Sequence, residues 1–283
     1  MKFRSYMTAA LALLLASSAM AFTWPNGKKS AVSISADDGW PSQLTQAQRL
    51  EYYGFRGTFY LTPAGLPSVV TNAASWRSVQ QAGHEVGNHS YSHWSAATVA
   101  TKTWVDVATD VGTNEQWLLT NIFNGTPTDH TYAYPEGNFI VGPGATSSSY
   151  QQRQVGACEY VALLTATMTG ARISGTGENV PEDVMRRRFF ISGLPITGAN
   201  DATVIAQAKA AIDNGIAKGT WTVLVFHSLG DPGDGNAISF NAYEQIVGYL
   251  YSRQADVWVA PVVTVKNQIA ANSPATDWSC TLP

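Results

Sequence analysis

Asp37 and Asp38 stand side by side in Ser-Ala-Asp-Asp-Gly, directly after a strand-like run over 31–35. Two adjacent carboxylates repel each other unless a cation neutralises one of them. One can then ligate a metal while the other stays free as a base. A solvated Asp-Asp-Gly turn would carry the same residues. His89 and His93 lie in His-Ser-Tyr-Ser-His, after a short strand-like run over 84–87. Four-residue spacing places two imidazoles on one face of a helical turn, which suits a divalent metal, commonly zinc. Ser90 follows His89 where a zinc-protease helix has its glutamate, so a base must come from elsewhere, and Asp37 is the candidate. His227 closes the apolar run 221–226. An imidazole at a strand end can protonate a leaving group, and a core histidine is the competing reading. These are three of only five histidines in the chain.

The elements that must position these groups follow from periodicity. Strands are expected over 31–35, 57–61, 84–87, 132–134, 161–164, 189–191, 221–226 and 257–260. Helices are expected over 44–53, 75–81, 201–216, 241–253 and 264–271, with one long helix over 98–123. The run 221–226 is continuously apolar, as in a parallel strand buried on both faces. Gly219 lies just beyond the 201–216 helix, where a left-handed stop belongs. Alternating strands and helices predict an α/β fold with a parallel sheet or barrel, with chemistry at the C-terminal strand ends. The candidate groups obey that rule.

The rest of the chain bounds the function. Lys2, Arg4, the apolar run 7–16 and Ala19-Met20-Ala21 read as a signal peptide over residues 1–21. Residues 22–283 then suit one large α/β domain or two small ones, expected to be secreted or periplasmic, without a membrane span after cleavage and as a monomer. The chain is 45% hydrophobic with net charge −3 and 17 Lys plus Arg, which excludes disorder and a nucleic-acid partner. Cys158 and Cys280 could form one disulfide tying the C-terminal tail to the body. No G-x-S-x-G elbow and no P-loop occur, which disfavours serine esterases and nucleotide hydrolysis. His84 reads as structural. The Asp231–Asn236 loop misses the EF-hand spacing and reads as a substrate-side loop.

Taken together, these motifs resemble the polysaccharide deacetylases, the NodB-homology or carbohydrate esterase family 4 enzymes. Ser35–Gly39 is similar to the family's first motif, His89–His93 to its second, Tyr132–Gly137 to its third and Val225–His227 to its fifth. The resemblance implies a distorted (β/α) barrel, single-domain, with fewer strands than the regular eight. It implies that Asp38, His89 and His93 hold a divalent metal, Zn2+ first and Co2+ or Ni2+ as substitutes. It makes Asp37 the general base and His227 the general acid. Tyr134, Pro135 and Glu136 would form the substrate turn, with a backbone N–H of Tyr134–Gly137 as oxyanion donor, and Val225 would wall the acetyl group. The implied reaction removes acetyl groups from a polysaccharide or oligosaccharide, foremost N-acetylglucosamine polymers. Acetylxylan esterase is the alternative, and a non-catalytic carbohydrate-binding protein on the same fold is the third reading. The family's third motif often begins with an arginine that orients the base, and here Ala133 stands there. Arg188, from the basic run 186–188, is the expected substitute. The tryptophan of the fourth motif has no identifiable counterpart.

Overall fold

The computed structural model describes residues 22–272 and 278–283, so the expected leader lies outside the described residues. Nine strands form: β1 (Ser30–Asp38), β2 (Thr58–Leu61), β3 (Glu85–Asn88), β4 (Tyr132–Ala133), β5 (Ala171–Ser174), β6 (Glu178–Asn179), β7 (Ile191–Pro195), β8 (Trp221–Phe226) and β9 (Val257–Val259). Seven of them, in the order β1-β2-β3-β4-β5-β7-β8, run parallel, and β8 pairs back onto β1 to close a barrel. β9 pairs with the first residues of β1, on the edge that β2 occupies further along. β6 adds antiparallel to β8. The expected distorted (β/α) barrel is therefore present, with seven strands in the ring.

Side-chain alternation divides β1 between two jobs. Val32, Ile34 and Ala36 join an apolar layer with Leu50, Phe59, Leu224, Phe226 and Ile246, which binds the barrel to its helices. Ser33, Ser35 and Asp37 point the other way, into the barrel. There Ser33 Oγ accepts a hydrogen bond from Trp221 Nε1 (3.0 Å), and both serine hydroxyls donate to backbone carbonyls, of Ala260 (2.8 Å) and Leu224 (3.3 Å). The small hydroxyl residues leave interior volume free, and the site's larger polar groups use it.

Three expectations are corrected. The helix expected over 98–123 is two, Ala96–Val99 and Trp104–Asn121. Thr103 starts the second with a capping box: its hydroxyl accepts from Asp106 N–H, and the Asp106 carboxylate accepts from Thr103 N–H. The strand expected over 161–164 is the last turn of the helix Tyr150–Leu164, which buries Ala157, Tyr160, Val161 and Leu164 at helical spacing. The strand expected over 189–191 begins only at Ile191, because residues 185–189 form turns. Cys158 and Cys280 are disulfide-bonded, as the sequence allowed. Gly219 ends the helix Asp201–Lys218 at φ 73°. Among the described residues no helix is long and apolar enough to cross a membrane.

Candidate metal centre and active site

The last residue of β1, Asp38, has φ 81°, and Gly39 follows at φ 89°. Left-handed backbone at a non-glycine residue costs roughly 1–3 kcal/mol. Gly39 itself allows no side chain, since a Cβ would lie 2.5 Å from Val69 Cγ2 and 2.9 Å from Leu61 Cδ2. Asp38 Oδ1 sits 3.4 Å from His89 Nε2 and 3.3 Å from His93 Nε2. His227 Nε2 lies 4.0 Å from the other oxygen. Its ring follows β8, and Gln46 Nε2 fixes its backbone by donating to the His227 carbonyl (2.6 Å). Asp37, Asp38, His89, His93 and His227 are thus brought together at one end of the barrel.

His89 and His93 do not ride on a helix. They belong to an irregular loop after β3 in which Ser90 (φ 59°) and His93 (φ 51°) are left-handed. Side chains beneath the loop hold this conformation. Asn88 Oδ1 accepts from Ser90 N–H (2.8 Å), and Ser90 Oγ accepts from His93 N–H (2.9 Å). From the helix Trp104–Asn121, Asp110 accepts from the N–H groups of Tyr91 and Ser92 (3.2 and 3.3 Å). Asn114, fully buried, donates to the carbonyls of Ser90 (2.9 Å) and Leu61 (2.8 Å) and to Asn88 Oδ1. Asp110 and Asn114 are one helical turn apart, so a polar stripe on that helix shapes the histidine loop.

The donor set fits a divalent metal. His89 Nδ1 lies 2.8 Å from the Ala133 carbonyl, so Nδ1–H donates there and Nε2 is left to face Asp38, where it would ligate a metal. Zinc bonds of about 2.0–2.2 Å in tetrahedral geometry separate ligand atoms by about 3.3–3.5 Å, which the two Asp38–histidine distances match. Asp38, His89 and His93 are the one cluster of metal-ligand spacing found among the described residues. Electrostatics agree. Burial disfavours charge on His89, but Asp37 and Asp38 offset it and raise its pKa. Burial likewise pushes Asp38 up, yet the His89 hydrogen bond and the nearby imidazoles hold it well below the carboxylate range. Two ionised carboxylates in one pocket favour a cation.

The basic side chain beside Asp37 is Arg172, not Arg188. Arg172 sits on β5, where its backbone is in register with Ala133 on β4. Its Nη2 donates to Asp37 Oδ1, and its guanidinium lies 5.2 Å from the Tyr60 ring centroid. Gly193 makes room for it, because a Cβ there would stand 2.8 Å from Arg172 Cδ. The arginine missing from the third motif is supplied from the neighbouring strand at the same level. Burial alone would raise the Asp37 pKa, but Arg172, with His89 and His227, brings it below the usual value. Arg188 instead donates to the Met185 carbonyl (2.9 Å) and lies by the Phe189 ring. The strand alternation expected over 186–188 is absent because these residues form a turn.

The Tyr134–Gly137 turn can be accounted for donor by donor. Tyr134 N–H donates to the Arg172 carbonyl (3.2 Å) and Gly137 N–H to the Tyr134 carbonyl (2.9 Å). Pro135 has no N–H, so Glu136 carries the turn's one remaining backbone donor. Glu136 is left-handed (φ 53°), and its carboxylate accepts from Ala96 N–H (3.1 Å). The Tyr134 ring is buried between Tyr132, Tyr160 and Phe139. His84 is structural: its Nδ1 accepts from Gly57 N–H (3.0 Å) on the far side of the barrel layer. Asp231 and Asp234 cap the backbone N–H groups of Ser42 (3.1 Å) and Ser228 (2.8 Å), which pins the loop after His227.

Residues 25–152 match the family model described as polysaccharide deacetylase. The match contains Asp37, Asp38, His89, His93 and the Tyr134–Glu136 turn, and stops short of Arg172 and His227. No curated protein sequence matches the chain. Among solved structures, the fold is similar to that of a putative polysaccharide deacetylase from Mycobacterium smegmatis (TM-score 0.59, 15% identity, covering 93% of this chain and 97% of the other). It is also similar to the peptidoglycan deacetylase PdaC from Bacillus subtilis (TM-score 0.50, 16% identity, 86% and 92% covered). A third neighbour is a CE4 family pseudoenzyme from Bacillus anthracis (TM-score 0.53, 15% identity, 87% and 67% covered). The fold thus accommodates a pseudoenzyme as well as a deacetylase, and activity has to be argued from the site itself.

Proposed function

We propose that this chain is a secreted, metal-dependent deacetylase of polysaccharides, acting foremost on N-acetylglucosamine polymers. The observation that carries the reading is the convergence of Asp38, His89 and His93 beside an aspartate that a buried arginine keeps ionised. Zn2+ held by Asp38, His89 and His93 would polarise the acetyl carbonyl and lower the pKa of water. Asp37, ionised beside Arg172, takes a proton from the attacking water. The Glu136 N–H is the turn's donor for the developing oxyanion. His227, across the pocket from Asp37's neighbour, gives a proton to the departing nitrogen or oxygen. Removal of residues 1–21 would release the domain to the periplasm or medium.

The reading as a non-catalytic carbohydrate-binding protein rested on the missing arginine, and Arg172 removes that motive. An O-acetyl ester would engage the same five groups, so acetylxylan stays in the test. Acetate release from chitooligosaccharides, peptidoglycan and acetylxylan separates the readings. Release from the first two supports the amide assignment. Release from acetylxylan alone makes the chain an esterase, and binding without release from any would make it a binding protein.

A further inference from the structure

Trp40 lies two residues beyond Asp38, across the turn that Gly39 makes possible. Its indole Nε1–H donates to Asp38 Oδ2 at 3.0 Å. The two oxygens of Asp38 are therefore already divided: Oδ1 faces both histidine Nε2 atoms, while Oδ2 holds an indole N–H. The arrangement is local and rigid. Asp38 and Gly39 are both left-handed, Gly39 is packed against Val69 and Leu61, and the Trp40 carbonyl accepts from Gln43 N–H (2.9 Å) just before the helix Gln43–Tyr52. A carboxylate free to rotate can offer a metal either one oxygen or both. One whose second oxygen bonds a fixed N–H donor offers one.

We infer that Trp40 is a positioning residue that makes Asp38 a single-oxygen ligand and so keeps coordination positions open for water and substrate. This rests on the reading of Asp38, His89 and His93 as metal ligands. A hydrogen-bond donor on a ligating carboxylate also draws charge from it, which leaves the metal a stronger Lewis acid. The indole acts only through Asp38.

The test is Trp40→Phe, which keeps an aromatic ring and removes the N–H, read with Co2+ and Zn2+ alone. Wild-type protein loaded with Co2+ should show the intense visible bands of a four- or five-coordinate site. In Trp40→Phe the freed oxygen turns onto the metal, the bands lose intensity, and Zn2+ affinity shifts from the wild-type value. Melting of the metal-free proteins separates a folding defect from this effect. If Trp40→Phe fails to fold, the benzothienyl analogue of tryptophan at position 40 keeps both rings and removes only the N–H. Unchanged Co2+ bands and unchanged Zn2+ affinity in a folded variant overturn the inference. Failure of the wild-type chain to bind either metal overturns the underlying site reading instead.

Discussion

Replacing Arg172 should disable the base while leaving the metal ligands in place. Arg172 is 1% exposed and Asp37 6% exposed, so the pair has almost no solvent to screen it. Arg172→Met keeps much of the side-chain volume and removes the charge. A neighbouring arginine favours the ionised form of an aspartate, so the variant should raise the Asp37 pKa. Burial, the largest influence on Asp37, then meets only the opposing charges at the metal site. A carboxylate base works only when ionised, so the acid limb of the kcat/KM profile should move to higher pH. Activity should therefore fall most steeply below neutral pH, where the carboxyl takes up a proton and can no longer accept one from water. Bound metal should stay near wild-type stoichiometry, and Arg172→Lys should restore part of the activity. Leaving Asp37 without its partner also destabilises the fold by up to about 3–5 kcal/mol, which Asp37→Asn in the same chain should partly recover. An unshifted acid limb with neutral-pH activity within about threefold of wild type would refute the assignment of Arg172.

Three further outcomes are expected. Asp38→Asn should lose Zn2+ in equilibrium dialysis, whereas Asp37→Asn should keep Zn2+ and lose turnover; normal metal binding in both variants would undo this division of roles. Asn114→Ala removes the donor that holds the Ser90 carbonyl, so Zn2+ affinity should fall about 10–100-fold, and unchanged affinity would show that the histidine loop holds itself. His130, buried, lies 2.9 Å from Glu115 Oε1 and 2.7 Å from the Thr128 carbonyl, which suits a doubly protonated ring. Burial opposes its charge, but Glu115 and the carbonyl raise its pKa. The stabilisation is then complete below the unfolded value of about 6.5 and is lost as pH rises through the folded value. Urea midpoints measured from pH 5 to 9 should fall along that course, and Glu115→Gln should flatten it.

Much of this architecture is legible in the chain because its signals are local. The apolar run Trp221–Phe226 is β8 to the residue, and Gly219 ends the preceding helix as its type predicts. The five reactive residues are legible because they sit in short motifs beside strand ends. What escapes reading depends on contacts distant in sequence. Arg172 lies 135 residues from Asp37, on a four-residue strand with a charge at an inward position. The one local hint is a strand-length run, Ala-Arg-Ile-Ser, bounded by Gly170 and Gly175. Arg188 belongs to a basic cluster, which is what a solvated turn also looks like. The His89–His93 spacing suggests a helix, but Asn88, Asp110 and Asn114 offer the loop's backbone better partners in a left-handed conformation. Val161–Leu164 shows the opposite error, an apolar run whose helical identity comes from packing.

Acetate release should depend on a metal held by Asp38, His89 and His93. This dependence is tested most directly by stripping the purified protein with a chelator, assaying acetate release from chitooligosaccharides, and titrating Zn2+ back. No release is expected from the stripped protein, with recovery that saturates at one Zn2+ per chain and no recovery in His89→Ala. Release that survives complete metal removal would contradict it.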